Sequence, residues 1–286
     1  MDGTASTRQT RRSPSDAPGA TGAGDGIRCK WASVVTAMVA GTLVLGGCAA
    51  APAASGPATA PTPPAGQPQQ VTVFAAASLT AAFTEIAELD PNLDVTLNFD
   101  GSPTLVDQIK GGAPADVLAT ADEANMAKAT EAGMVAPAPT IFATNSGVLI
   151  VPKGNPAQVT GVDPSLDGTR LVVCAPAVPC GATALEIAEA AGVTLKPVSE
   201  EQKVTDVRGK VSSGEADAGI VFATDAKAAG DAVETIAVDP EKKLATRYPM
   251  AIVTDAPHAE AARAFIDLVL SDRGQAVLAS YGFGTP

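Results

Sequence analysis

From Val71 onward, short apolar runs alternate with stretches in which apolar residues return every three or four positions. The runs predict strands at 71–75, 94–99, 116–119, 147–151, 170–174, 218–222 and 249–253. The helical spacing predicts helices at 79–89, 103–110, 122–132, 182–191, 205–213, 224–229, 257–270 and 272–280. Strand then helix, many times over, is the pattern of an α/β fold with mainly parallel sheets, because parallel neighbours need a crossover long enough to hold a helix. No internal repeat is visible in the sequence.

Val71–Ala75 contains the apolar run of a strand buried on both faces, and after Ser78 the residues Leu79, Phe83 and Ile86 stand at helical spacing. Ser78 therefore falls between strand and helix. An N-cap serine there satisfies a free backbone N–H, and the first-turn amides with the helix dipole behind them attract an anion. The arrangement returns at Asp100-Gly101-Ser102-Pro103, with Ser102 as cap, Pro103 at the first helical position and Gly111 as the left-handed residue that ends the helix. It returns at Val178-Pro179-Cys180-Gly181, where Gly181 lets amides approach a ligand, and at Thr205-Asp206-Val207-Arg208, with Thr205 or Asp206 as cap. Each start alone is most simply a cap. Four of them after strands, in a chain without a catalytic constellation, point to helix N-termini converging on one anion at the strand ends, where open α/β sheets place their ligands.

Before Val71 the pattern changes. Residues 1–30 are polar and end in Arg28-Cys29-Lys30, the segment Trp31–Gly46 is apolar, and Leu45-Gly46-Gly47-Cys48 resembles the bacterial lipobox. The expectation is a signal peptide of lipoprotein type over 1–47 with lipid attached to Cys48, and the alternative is an uncleaved anchor with an incidental cysteine. Arg11-Arg12 has no apolar segment directly after it and is discounted as a twin-arginine signal. Residues 49–70 are Ala, Pro, Gly, Thr and Gln with little to bury, and so read as a disordered tether.

The chain has 286 residues, 46% of them hydrophobic, which is ample for a core and for two lobes. Its net charge of -12 makes nucleic acid or an anionic membrane surface a poor partner, and the 28 Asp and Glu against 14 Lys and Arg from Cys48 onward sharpen this. An anion would have to be held by local dipoles. Of the four cysteines only Cys174 and Cys180 lie in the folded part, and in an exported domain their first reading is a disulfide bracing the turn before Gly181. A nucleophilic Cys180 at a helix start is the alternative, but the single histidine, His258, reads as a solvent-facing residue and not as its base. Arg208 reads as a partner for Asp206 or another carboxylate, and Glu200-Glu201 and Glu241-Lys242-Lys243 as solvated loops.

Val73-Phe-Ala-Ala-Ala-Ser-Leu-Thr80, Gly112-Ala-Pro-Ala-Asp116, Asp206-Val-Arg-Gly209, Gly219-Ile-Val221 with Asp225-Ala226, and Tyr281-Gly-Phe283 stand in this order. In them the chain resembles, over about 71–284, the molybdate-binding proteins of bacterial ABC importers. The resemblance implies a type II periplasmic-binding-protein fold of two lobes, each with a mainly parallel sheet flanked by helices. It places the lobes at 71–148 with 249–286 and at 149–248. It implies a monomer that captures molybdate, and tungstate with it, without a cofactor or catalysis and with molybdenum present only as the oxyanion. The partner would be a permease at the extracytoplasmic face of the cell membrane. The family's two ligand serines fall on Ser78 and Ser102, its amide positions on Cys180 and Val207, and its tyrosine on Phe222, which has no hydroxyl. A hydrogen bond to a charged group is worth about 1.5–3 kcal/mol, so the loss would weaken binding by roughly one to two orders of magnitude. The expectation is that Thr224, Thr183 or a water supplies the donor, no other tyrosine being expected nearby.

The competing readings are a binding protein for sulfate or another tetrahedral oxyanion, and an extracytoplasmic enzyme with Cys180 or Ser78 as nucleophile. A ferric-binding protein would call for paired tyrosines, and only Tyr248 and Tyr281 occur.

Overall fold

The structure, a computed structural model, describes residues 67–238 and 245–286. The expected signal peptide, Cys48 and nearly all of the tether lie outside the described residues, as do Glu241, Lys242 and Lys243.

Strand β1 (Gln69–Ala76) pairs in parallel with β2 (Leu93–Asp100) and β3 (Val117–Ala119). The long strand β4 (Thr140–Pro152) is followed by β5 (Leu171–Cys174), which pairs in parallel with β6 (Ser199–Glu201) and β7 (Ala218–Phe222). Strands β8 (Val233–Ile236) and β9 (Ala245–Ile252) complete the set. β3 meets β9 antiparallel, and β9 meets the first half of β4, Thr140–Ser146. From Gly147 the same strand turns to β7 on one side and, from Leu149, to β8 on the other. Each half thus has a parallel trio joined to an antiparallel crossing strand, so the two halves share one plan although the sequence shows no repeat. Parallel pairs form the trios and antiparallel pairs the crossings, which makes the sheets mixed.

All eight expected helices form: α1 (Thr80–Ala87), α2 (Ser102–Lys110), α3 (Glu123–Glu131), α4 (Pro179–Ala191), α5 (Val204–Ser212), α6 (Ala223–Ala229), α7 (Ala259–Leu270) and α8 (Asp272–Ser280). Their apolar stripes cover the strands: Phe83 and Ile86 of α1 are fully buried, and the Phe83 ring meets Phe142 at a tilt and Phe265 edge-on, each at 5.6 Å.

Several local expectations are corrected. Gly101 caps α2, and Ser102 sits one residue inside it without a capping bond. Gly111 is right-handed, and Gly112, at φ +87°, makes the left-handed turn. Lys203, and neither Thr205 nor Asp206, occupies the cap of α5. Glu200-Glu201 is no loop: it belongs to β6, where Glu201 pairs with Lys210. His258 keeps one face in solvent, yet its backbone N–H and its Nδ1 reach the buried Asp116 at 2.8 and 3.1 Å.

Candidate functional site

The C-terminal ends of β1, β2 and β7 and the starts of α2, α4 and α5 surround one narrow cleft of about 10 Å³. Ser78, Ser102, Cys180 and Phe222 all line it. Val207 does not: it is fully buried one turn further along α5, and Val204 reaches the cleft in its place. Two larger grooves, about 390 Å³ each, lie elsewhere, one against α4 and β5 and one against α3. The converging strand ends and serines of the small cleft outweigh that volume, since drug-sized ligands need roughly 300–1,000 Å³ and a small anion much less.

Ser78 lies within a single 3-10 turn, Ala77–Leu79, between β1 and α1 and caps neither. Its Oγ is 2.9 Å from the hydroxyl of Tyr248. Ser102 is buried, and its Oγ accepts from the N–H of Ala121 at 3.1 Å. The expectation that these serines cap their own helices is therefore wrong. A capping oxygen would be spent on its own helix, whereas here one oxygen meets β9 and the other the loop after β3.

Cys180 is the second residue of α4, in a first turn whose amides have no carbonyl ahead of them within the helix. Its sulfur is joined to Cys174, with the Cα atoms 5.6 Å apart, so no thiol remains to attack a substrate. Gly181 packs onto the same turn: a Cβ there would fall 2.0 Å from the carbonyl oxygen of Ala175. Only glycine lets α4 start this close to the end of β5.

The greatest departure concerns the missing hydroxyl. Thr183 and Thr224 do not line the cleft, and Thr224 Oγ1 is taken up by Asn145 Nδ2 at 2.8 Å. A tyrosine is nearby after all. The Tyr248 ring packs against Phe222 at 6.0 Å, and its hydroxyl meets both Ser78 and Asn145. The two residues of the Ser78 contact are 170 positions apart, and no local sequence signal links them. Burial holds the Tyr248 hydroxyl protonated far above its ordinary range.

No Lys or Arg is among the residues that line the cleft, and the Asp100 carboxylate is turned back on the N–H of Gly101 at 2.8 Å. Arg208 stands 3.7 Å from the buried Asp225. The site therefore offers hydroxyls and first-turn amides to an anion and no counter-charge.

The sequence profile of the bacterial extracellular solute-binding proteins matches residues 71–284. The molybdate-binding protein ModA of Mycobacterium tuberculosis H37Rv is 37% identical over 262 residues, covering 90% of this chain and all of that protein. That of Escherichia coli K12 is 35% identical over 234 residues, covering 75% of this chain and 88% of its own. The periplasmic molybdate-binding protein of Azotobacter vinelandii has the same fold, with a TM-score of 0.68 at 20% identity over 76% of this chain and 99% of that one. Among the described residues no helix is long and apolar enough to cross a membrane. With the profile spanning the folded part and relatives that are binding proteins and not enzymes, the chain belongs to the bacterial extracellular solute-binding protein family.

Proposed function

We propose that this chain is an extracytoplasmic lipoprotein that captures molybdate, and tungstate with it, and hands the anion to the permease of an ABC transporter. The observation that carries the reading is a cleft of neutral donors without a lining cation, in a chain 37% identical to a protein named for binding molybdate. We assign the ligand to the hydroxyls of Ser78 and Ser102 and the amide of Cys180, to be joined by the amide of Val207 once the anion draws the start of α5 inward, with Phe222 in the place of a tyrosine it does not replace chemically. A dianion held only by donors gives up its water without a buried cation beside it. Such a site disfavours hydrogen phosphate, whose proton would need an acceptor where the one lining carboxylate, Asp100, already takes the N–H of Gly101. Sulfate is the closer rival, to be refused by size.

Residues 71–148 with 249–286 would form one lobe and 149–248 the other, closing on the anion through the crossing strands β4 and β9. Lipid on Cys48 and the tether to residue 70 would hold a monomer at the membrane and leave it free to reach its permease.

Calorimetric titration of residues 49–286 with molybdate, tungstate, sulfate and phosphate tests the ligand. One-to-one binding of the first two alone is expected. Equal binding of sulfate would replace molybdate by a broader oxyanion ligand, and no binding at all would sink the reading. The anchor is tested separately: Cys48→Ser in the full chain should move the protein from the membrane fraction to the soluble one, and an unchanged distribution would rule out lipid at that residue.

A further inference from the structure

The side-chain amide of Asn145 is oriented by its neighbour, since the N–H of Ser146 donates to Asn145 Oδ1 at 2.9 Å. Its Nδ2 therefore faces the other way and donates to Thr224 Oγ1 at 2.8 Å and to the hydroxyl oxygen of Tyr248 at 3.2 Å. A phenol has one proton to give. For Tyr248 the acceptor in reach is Ser78 Oγ, at 2.9 Å. Were Ser78 the donor instead, the proton of a fully buried phenol would be left without a partner, which native interiors avoid. The bonds thus run in one direction: Ser146 to Asn145, Asn145 to Tyr248, Tyr248 to Ser78. The Ser78 proton is left for the cleft that this serine lines.

We propose that Tyr248 is a positioning residue that turns the Ser78 proton toward the bound anion, and so sets selectivity against oxyanions that carry a proton. This deepens the oxyanion reading above and rests on it. The ring that holds the hydroxyl is fixed edge-on by Phe142, Phe222 and Phe283, at 6.2, 6.0 and 5.4 Å. Phe222 thereby serves as a wall for the tyrosine that acts one bond behind the ligand. Ser102 Oγ likewise accepts from the N–H of Ala121, so on each serine one lone pair is already taken before a ligand arrives.

The test is Tyr248→Phe, titrated with molybdate and with phosphate beside the wild type, alone and combined with Ser78→Ala. In Tyr248→Phe the Ser78 hydroxyl can rotate and accept. Molybdate affinity is expected to fall about tenfold, and the phosphate-to-molybdate affinity ratio to rise by at least as much. In the Ser78→Ala background the tyrosine substitution should change neither quantity, because its effect passes through Ser78. An unchanged ratio in Tyr248→Phe, or the same fall with and without Ser78, would overturn the role while leaving the molybdate reading intact. Wild-type protein that binds no oxyanion would overturn both. Thermal melting of each variant separates these outcomes from loss of fold.

Discussion

Replacing Gly101 by alanine is expected to weaken binding of the ligand while leaving the unliganded fold as stable as before. Gly101 has φ −63° and ψ 141°, a conformation any residue adopts, so the substitution strains nothing locally. What forbids a side chain is the opposite wall. A Cβ at this position would fall 2.0 Å from the carbonyl oxygen of Gln202, in the turn between β6 and α5, and 3.8 Å from Val178. Gly101 and Gln202 belong to different halves of the molecule, which also touch where Asn125 Nδ2 donates to the carbonyl of Ala177 at 3.3 Å. Under the proposed closure these are contacts of the closed form. An added methyl would wedge the halves apart before the α5 amides reach the anion. Overpacking of this kind costs about 1–3 kcal/mol, and if the whole cost falls on closure, molybdate binds roughly ten- to a hundredfold more weakly. Calorimetry and melting of the unliganded protein give both numbers. A variant that binds as tightly as wild type would show that the halves need not meet here. One that binds normally per folded molecule but melts early would show that they meet with or without ligand.

The order of elements was legible because each helix carries its own apolar stripe. β6 and β8 were not, since Ser-Glu-Glu and Val-Glu-Thr-Ile show no run of buried residues. They exist because β5 and β4 present free edges to them. The starts of α2, α4 and α5 were placed to within a few residues, yet the role of their polar residues was misread. A serine at the cap and a serine one position inside look alike in a sequence, and only the partner of the oxygen tells them apart. For Ser102 that partner is the N–H of Ala121 and for Ser78 it is Tyr248, both supplied by distant chain. The same limit hid Tyr248 itself. Phe222 could be matched to a family position, but its neighbour across the crossing strands follows from the pairing of β9 with β4, which no local pattern encodes.

The second large effect belongs to Asp225, and it depends on pH. Third in α6, this residue takes the N–H of Phe222 at the helix cap, and its Oδ2 has no hydrogen-bond partner among the described residues. Burial pushes its pKa from 3.8 up to about 7, against the pull of Arg208 and the Phe222 N–H. The folded protein therefore binds a proton that the unfolded chain has released everywhere between those two values. Stability falls as pH rises through this window and levels off above about 7. The whole displacement corresponds to about 4 kcal/mol, at about 1.4 kcal/mol for each tenfold change in proton affinity. Asp225→Asn keeps an oxygen for the Phe222 N–H and cannot ionise, so it should match the wild type near pH 4 and exceed it near pH 8 by up to a few kcal/mol. Arg208, partly exposed, would turn to water. Denaturant unfolding of both proteins at several pH values isolates the effect as a difference, in which the opposite slope from Asp217, held below its ordinary value by Arg170, cancels. A difference that stays constant from pH 4 to pH 8 would mean that Asp225 is ionised throughout, and that the Arg208 guanidinium at 3.7 Å compensates its burial in full.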